Sequence, residues 1–261
     1  MKLKLIAAAA VLAVSGAANA DIATGALGNG DMFFSIWDGV NSYTRDLNVS
    51  INAFEAAIAA PGFLPGTVLG SFSFAADALF TSYLATANLA TVRWNIVASD
   101  SLGPQRSIYT YSTLPGPVID SITNRSAVTA ANGFALEVNS QNLSASGADS
   151  AVFAAGTPAY AGLPSFGSRI NNRLNFETAG FAANNSLANG LNLLRINGAA
   201  SGNALSTYTP YLDEGFAVRA FLNTGSGTLT IAAVPEPETF AMLLAGLGLM
   251  GAIARRRRNK G

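Results

Sequence analysis

DMFFSIWDGVNSYTRDL, residues 31–47, is the stretch that decides the fold. Along an extended chain, successive side chains point to opposite faces. Phe33, Ser35 and Trp37 then share one face, and Met32, Phe34 and Ile36 share the other. Both faces are largely apolar, as in a strand covered on each side, so Asp31–Asp38 is predicted to be a central strand. Gly39 turns the chain, and Ser42–Leu47 returns as its partner.

The same alternation recurs outward from this hairpin. Thr91–Ala98 is the clearest case, with Val92, Trp94, Ile96 and Ala98 on one face and Arg93 and Asn95 on the other. A Gly103-Pro104 turn leads to a strand over Ser107–Leu114, and Thr67–Ala75 alternates with Val68, Gly70, Phe72 and Phe74 on one side. Phe216–Leu222 and Thr228–Ala232 flank Thr224-Gly-Ser-Gly227 and predict a closing hairpin. Ser50 offers an N-cap for a short helix over Ile51–Ala59, ended by Pro61 and Pro65. Asp77–Ala87 fits a helix or a strand. Val118–Asn142 has rough helical spacing and reads as one or two helices broken near Gly133. Leu143–Arg173 reads as loop with short strands. Asn184–Asn197 is Asn-rich and carries Leu187, Leu191 and Leu194 without a decisive period. The expectation is a mainly β, β-sandwich-like ectodomain with minor helices. Its core should hold Phe33, Trp37, Val92, Trp94, Ile96, Phe216 and Val218.

The two ends of the chain are of a different kind. Lys2 and Lys4 precede the apolar Leu5–Val14, and Ala18-Asn19-Ala20 is a small-x-small cleavage site for signal peptidase. Residues 1–20 therefore read as a signal peptide, and the mature chain should begin at Asp21. Residues 21–233 form the ectodomain, with no linker rich in Pro, Ser or charge, so one domain is expected. Residues 234–261 carry three parts in order. Pro235-Glu236-Pro237 is a stiff, extended tether. Thr239–Ala254 is uncharged and apolar, and as a helix it would be about 24 Å long against a hydrocarbon core of about 30 Å, a short single span. Arg255, Arg256, Arg257 and Arg258 then form a cytoplasmic stop, because such charges resist translocation.

Composition narrows the function. Between Asp21 and Val234 there are eight arginines, no lysine and thirteen carboxylates, a net charge of 8 − 13 = −5. An acidic body argues against nucleic acid and against an anionic lipid surface as partners. The chain has no Cys and no His. Disulfides, Ser-His-Asp and Cys-His catalysis, and ordinary zinc, haem and iron–sulfur sites are thereby excluded. Carboxylate chemistry remains, since a glycosidase needs two carboxylates at a set separation. Asp38, Asp46, Asp100, Asp213 and Glu214 are the candidates, weighed against solubilising and turn roles. Calcium could use Asp31, Asp38 or Asp213-Glu214, without EF-hand spacing. Trp37 and Trp94 could stack on sugars or pack in the core. The reading is a non-enzyme with no cofactor, no metal and no catalytic residue.

The order of the tail resembles the PEP-CTERM sorting signal of bacterial exosortase substrates, in which a Pro-Glu-Pro motif precedes a short transmembrane helix and an Arg-rich cluster. FFSIWD and SYTRDL, within Asp31–Leu47, also look like the N-terminal region of one group of those proteins. The resemblance implies that exosortase, a membrane-embedded cysteine protease, recognises Pro235, Glu236 and Pro237 and removes the tail. It implies transient residence in the inner membrane, then the cell surface or extracellular matrix of a Gram-negative bacterium. Exosortase systems commonly accompany exopolysaccharide production, so biofilm and extracellular polysaccharide are the implied context. The alternative is a carbohydrate-binding or carbohydrate-cleaving surface module.

Overall fold

The computed structural model describes residues 21–25, 28–59, 72–102, 105–111, 123–143, 149–163, 166, 169–170, 174–175, 190–198, 201, 203–213, 215–234 and 250. Strand β1 (Asp31–Trp37) and β2 (Asn41–Ser50) pair antiparallel, with Ser35 opposite Thr44 and Ile36 opposite Tyr43. Asp38 closes their turn, its Oδ1 accepting from the N–H of Val40 and of Asn41 at 2.8 Å each, while Gly39 adopts φ 98°. On its other side β1 pairs with β4 (Arg93–Ser99), which continues to β5 (Ser107–Tyr111). The remaining strands are β3 (Phe72–Phe74), β6 (Ser150–Ala154), β7 (Arg169–Ile170), β8 (Leu174–Asn175), β9 (Leu191–Ile196), β10 (Tyr208–Pro210), β11 (Leu212–Asp213), β12 (Phe216–Asn223) and β13 (Thr228–Val234). Among the described residues, β7 and β8 pair apart. The other eleven form one antiparallel sheet in the order β3-β13-β12-β9-β5-β4-β1-β2-β6, with β10 beside β9 and β11 beside β12.

The sheet is apolar on both faces, which is why β1 carries aromatics on both. One face packs Phe33, Trp37, Val97, Tyr109, Leu194 and Ile196 against α3 (Asn124–Val138) and Phe153 and Phe166. Phe134 of α3 stacks on Phe166 with ring centroids 4.0 Å apart. The other face packs Phe34, Ile36, Trp94, Ile96, Val218 and Leu229 against α1 (Ile51–Ala59) and α2 (Ala78–Thr86). Each fully buried large side chain of this kind contributes about 1.5–3 kcal/mol through removal from water. Helix α2 touches distant strands at once. Phe80 stacks on Tyr43 of β2 at 4.6 Å, and a Cβ added at Gly227, in the β12–β13 turn, would lie 3.4 Å from Phe80 and 2.5 Å from Ala76. The sheet therefore curls around α2 instead of lying open.

Several expectations hold. Helix α1 has the predicted limits, with Ser50 Oγ accepting from Ala53 N. The strands around Trp94 and the hairpin at Thr224–Gly227 form as read. Others are corrected. Among the described residues, one curled eleven-stranded sheet with helices on both faces, beside the small β7–β8 pair, takes the place of a two-sheet sandwich. Helix α3 runs unbroken through Gly133, because one interior glycine costs only about 1 kcal/mol while Ala130, Ala131, Phe134 and Val138 on either side of it are buried against the sheet, and Thr123 caps the start by accepting from Ser126 N. Asp77–Ala87 resolves as helix, since the Asp77 carboxylate accepts from Phe80 N at 2.7 Å as an N-cap. Phe216 is half-buried rather than core. The Asn-rich segment holds β9, which lies between β5 and β12 in the interior of the sheet. Residues 60–71, including Pro61, Pro65, Val68 and Gly70, lie outside the described residues.

Candidate functional site

The sorting tail meets the fold at β13. This strand pairs with β12 along its whole length, from Asn223 opposite Thr228 to Ala217 opposite Val234. Pro235 follows the last paired residue directly. Pro235, Glu236, Pro237 and Arg255–Arg258 lie outside the described residues, as do Ala18 and Ala20 at the other end. No described helix is long and apolar enough to cross a membrane, and the expected span over Thr239–Ala254 lies outside the described residues except for Met250. At the amino end of the body, Ile22 is buried and held by Asn139 of the wide helical turn Asn139–Leu143 that follows α3. Asn139 Oδ1 accepts from Ile22 N at 3.0 Å, and its Nδ2 donates to Ile22 O at 2.9 Å.

The candidate carboxylates are not assembled into one pair. Asp38 sits at the β1–β2 turn, whereas Asp46, Asp100 and Asp213 belong to the opposite ends of their strands. Asp38 is consumed as a turn cap. Asp100 forms an ion pair with Arg106 at 3.5 Å and accepts from Leu102 N. Asp213 is buried, and Glu214 lies outside the described residues. Among the described residues no three Asp, Glu, His or Cys side chains converge as metal ligands. The Trp37 and Trp94 side chains, 5% and 0% exposed, are core residues and offer no face for stacking a sugar.

Asp46 was a candidate from sequence, but its surroundings and two further polar groupings escaped the sequence reading because their members are far apart in the chain. Asp46 is 1% exposed. Its Oδ1 accepts from Asn48 N at 2.8 Å and its Oδ2 is buried without a hydrogen bond. Burial raises its carboxyl to about 8, the Asn48 N–H opposes that shift, and Asp31 and Asp149 add to it. Burial thus favours the neutral acid form of Asp46, on the α3 side of β2, over a solubilising charge. Elsewhere, Glu55 of α1 ties three elements together. It accepts from Arg106 at 2.6 Å and from the Tyr211 hydroxyl at 2.8 Å, and Arg195 of β9 lies 3.3 Å away. On the opposite flank, the Tyr43 hydroxyl donates to Asp77 at 2.6 Å. Burial raises the Tyr43 phenol, and the neighbouring Asp77 carboxylate raises it further. Burial pushes Asp77 up, but hydrogen bonds from Tyr43 and Phe80 N outweigh it and leave this carboxyl below its ordinary value. These groups hold α1 and α2 to the sheet.

No curated protein and no solved structure matches the chain significantly. Residues 233–258 match the PEP-CTERM protein-sorting motif, a tenth of the chain that begins within β13. This chain therefore carries a PEP-CTERM sorting signal, recognised by exosortase, and is an exported, exosortase-sorted protein.

Proposed function

We propose that this is a non-enzymatic protein of the extracellular matrix of a Gram-negative bacterium, released from the inner membrane by exosortase and associated with exopolysaccharide. The carrying observation is the junction at Val234, where a β domain closed on both faces passes directly into the sorting motif. The burial of both tryptophans and the engagement of Asp38, Asp100 and Glu55 in caps and ion pairs support a structural body over a sugar-cleaving one.

The order of the tail explains how processing would work. The arginines hold the C-terminus in the cytoplasm. The prolines keep the backbone outside the membrane extended, with its carbonyls free for a protease. An epitope near Gly225, followed by fractionation and blotting, tests this. Deleting Pro235–Pro237 should leave the full-length chain in the inner membrane, as should loss of exosortase. A wild-type chain that keeps its tail whether or not exosortase is present contradicts the processing step. For the matrix role, a strain unable to make exopolysaccharide should shed the processed protein into the medium. Equal retention on cells with and without the polysaccharide contradicts it.

A further inference from the structure

We propose that the rim of the sheet from which Val234 emerges rests on the lipid bilayer for as long as the tail is uncleaved. This rests on the reading of Thr239–Ala254 as the inserted span. Strand registers define the rim. Val234 lies opposite Ala217 at the start of β12, and Leu212 of β11 also pairs with Ala217. Ile196, the end of β9, pairs with Ser107 at the start of β5, which in turn faces Ser99 at the end of β4. The rim therefore carries β11, the β9–β10 connection and the β4–β5 connection.

Each of these three pieces exposes one leucine. Leu212 of β11 is 55% exposed, Leu205 before β10 is 62% exposed, and Leu102 between β4 and β5 is 57% exposed. The opposite rim, with the β1–β2 and β12–β13 turns, exposes by more than half only Val40 among described large apolar side chains. Isolated surface leucines are ordinary, and their gathering on one rim acquires meaning from the tether. Only Pro235–Glu238 separate the last paired residue from the span. Four residues reach at most about 14 Å, and the headgroup layer takes up about 5–8 Å of that. Val234 is thus held within about 10 Å of the headgroups, which lets the domain settle with this rim and its leucines against them. Of the carboxylates at these strand ends, Asp100 is paired with Arg106 and Asp213 is buried, so neither presents a bare charge to the headgroups. The body's net charge of −5 gives no electrostatic attraction to anionic headgroups, so the partner fitted by this surface is a lipid surface engaged through apolar side chains at headgroup depth.

The chain has no cysteine, so an introduced thiol is a unique labelling site. Uncleaved protein from an exosortase-deficient strain would be reconstituted in vesicles of phosphatidylethanolamine and phosphatidylglycerol containing nitroxide lipids. A fluorophore is placed by L102C, L205C or L212C on one rim and by V40C or S226C on the other. Severalfold stronger quenching on the Leu rim is expected. A reporter at N203C should lose its quenching when Leu102, Leu205 and Leu212 are all changed to Ser, with the span still resistant to carbonate extraction. Equal quenching on both rims with an inserted span, or no effect of the triple Ser variant, overturns the docking. A chain that carbonate extracts overturns the span reading, and the docking with it.

Discussion

Single residues carry much of the stability, and burial decides which. Trp94 is fully buried against Phe34, with ring centroids 6.0 Å apart. Trp94→Ala should cost about 3–5 kcal/mol by loss of transfer energy and creation of a cavity, measured by urea unfolding. A loss under about 1 kcal/mol would contradict the packing described. Asp46 sets a pH dependence. Its folded-state carboxyl titrates near 8 against an ordinary 3.8, so between those values the folded state keeps a proton that the unfolded chain has released. This group's share of stability is therefore greatest below 3.8 and is lost as pH rises towards 8. Asp46→Asn keeps the acceptor for Asn48 N and cannot ionise, so it should raise the thermal midpoint at pH 8 and flatten that part of the profile. An unchanged pH profile would show Asp46 to be ionised in the fold. The aromatic alternation made the burial of Trp94 legible in the sequence. The state of Asp46 was not legible, because its shift depends on being enclosed and on Asp149, which lies more than a hundred residues away.

At the scale of elements, caps and close approaches decide geometry. Asp77 both caps α2 and accepts from Tyr43 of β2. Asp77→Ala should therefore cost more than the ~1 kcal/mol typical of a lost N-cap, because the buried Tyr43 hydroxyl also loses its carboxylate acceptor. A double-mutant cycle with Tyr43→Phe would measure the coupling, and strict additivity would contradict it. Gly227 has φ 66°, and an added Cβ would meet Ala76 at 2.5 Å. Gly227→Ala should destabilise the β12–β13 hairpin and its seat on α2, and chemical denaturation should register the loss. The run Thr224-Gly225-Ser226-Gly227 announced this hairpin in the sequence. The close approach of Ala76 is visible only once the sheet has curled. Likewise β9 was missed because its strand period is only six residues long, within a run of Asn and Leu that fits helix as well as strand.

For the whole molecule, the last strand sets a limit on processing. Val234 is still paired to Ala217, and a strand held in a sheet is not open to a protease. Intact mass of mature protein taken from cells should therefore place its C-terminus at or beyond Val234. A C-terminus within Thr228–Ala233 would mean that β13 detaches from the sheet before cleavage.

The sequence alone determined that the chain is exported and sorted, because those instructions are linear. Charge, apolar length, proline and cleavage pattern are read along an extended or membrane-inserted chain, without a folded partner. It also determined that the body is mainly β, because strand periodicity is local. Only tertiary structure decided that the strands form one curled sheet and not two facing ones. That outcome depends on α2 meeting β2 and the β12–β13 turn together, and on α3 covering the second apolar face. Those contacts join residues distant in the chain, and hydrophobic burial, being non-directional, does not encode them in any local pattern.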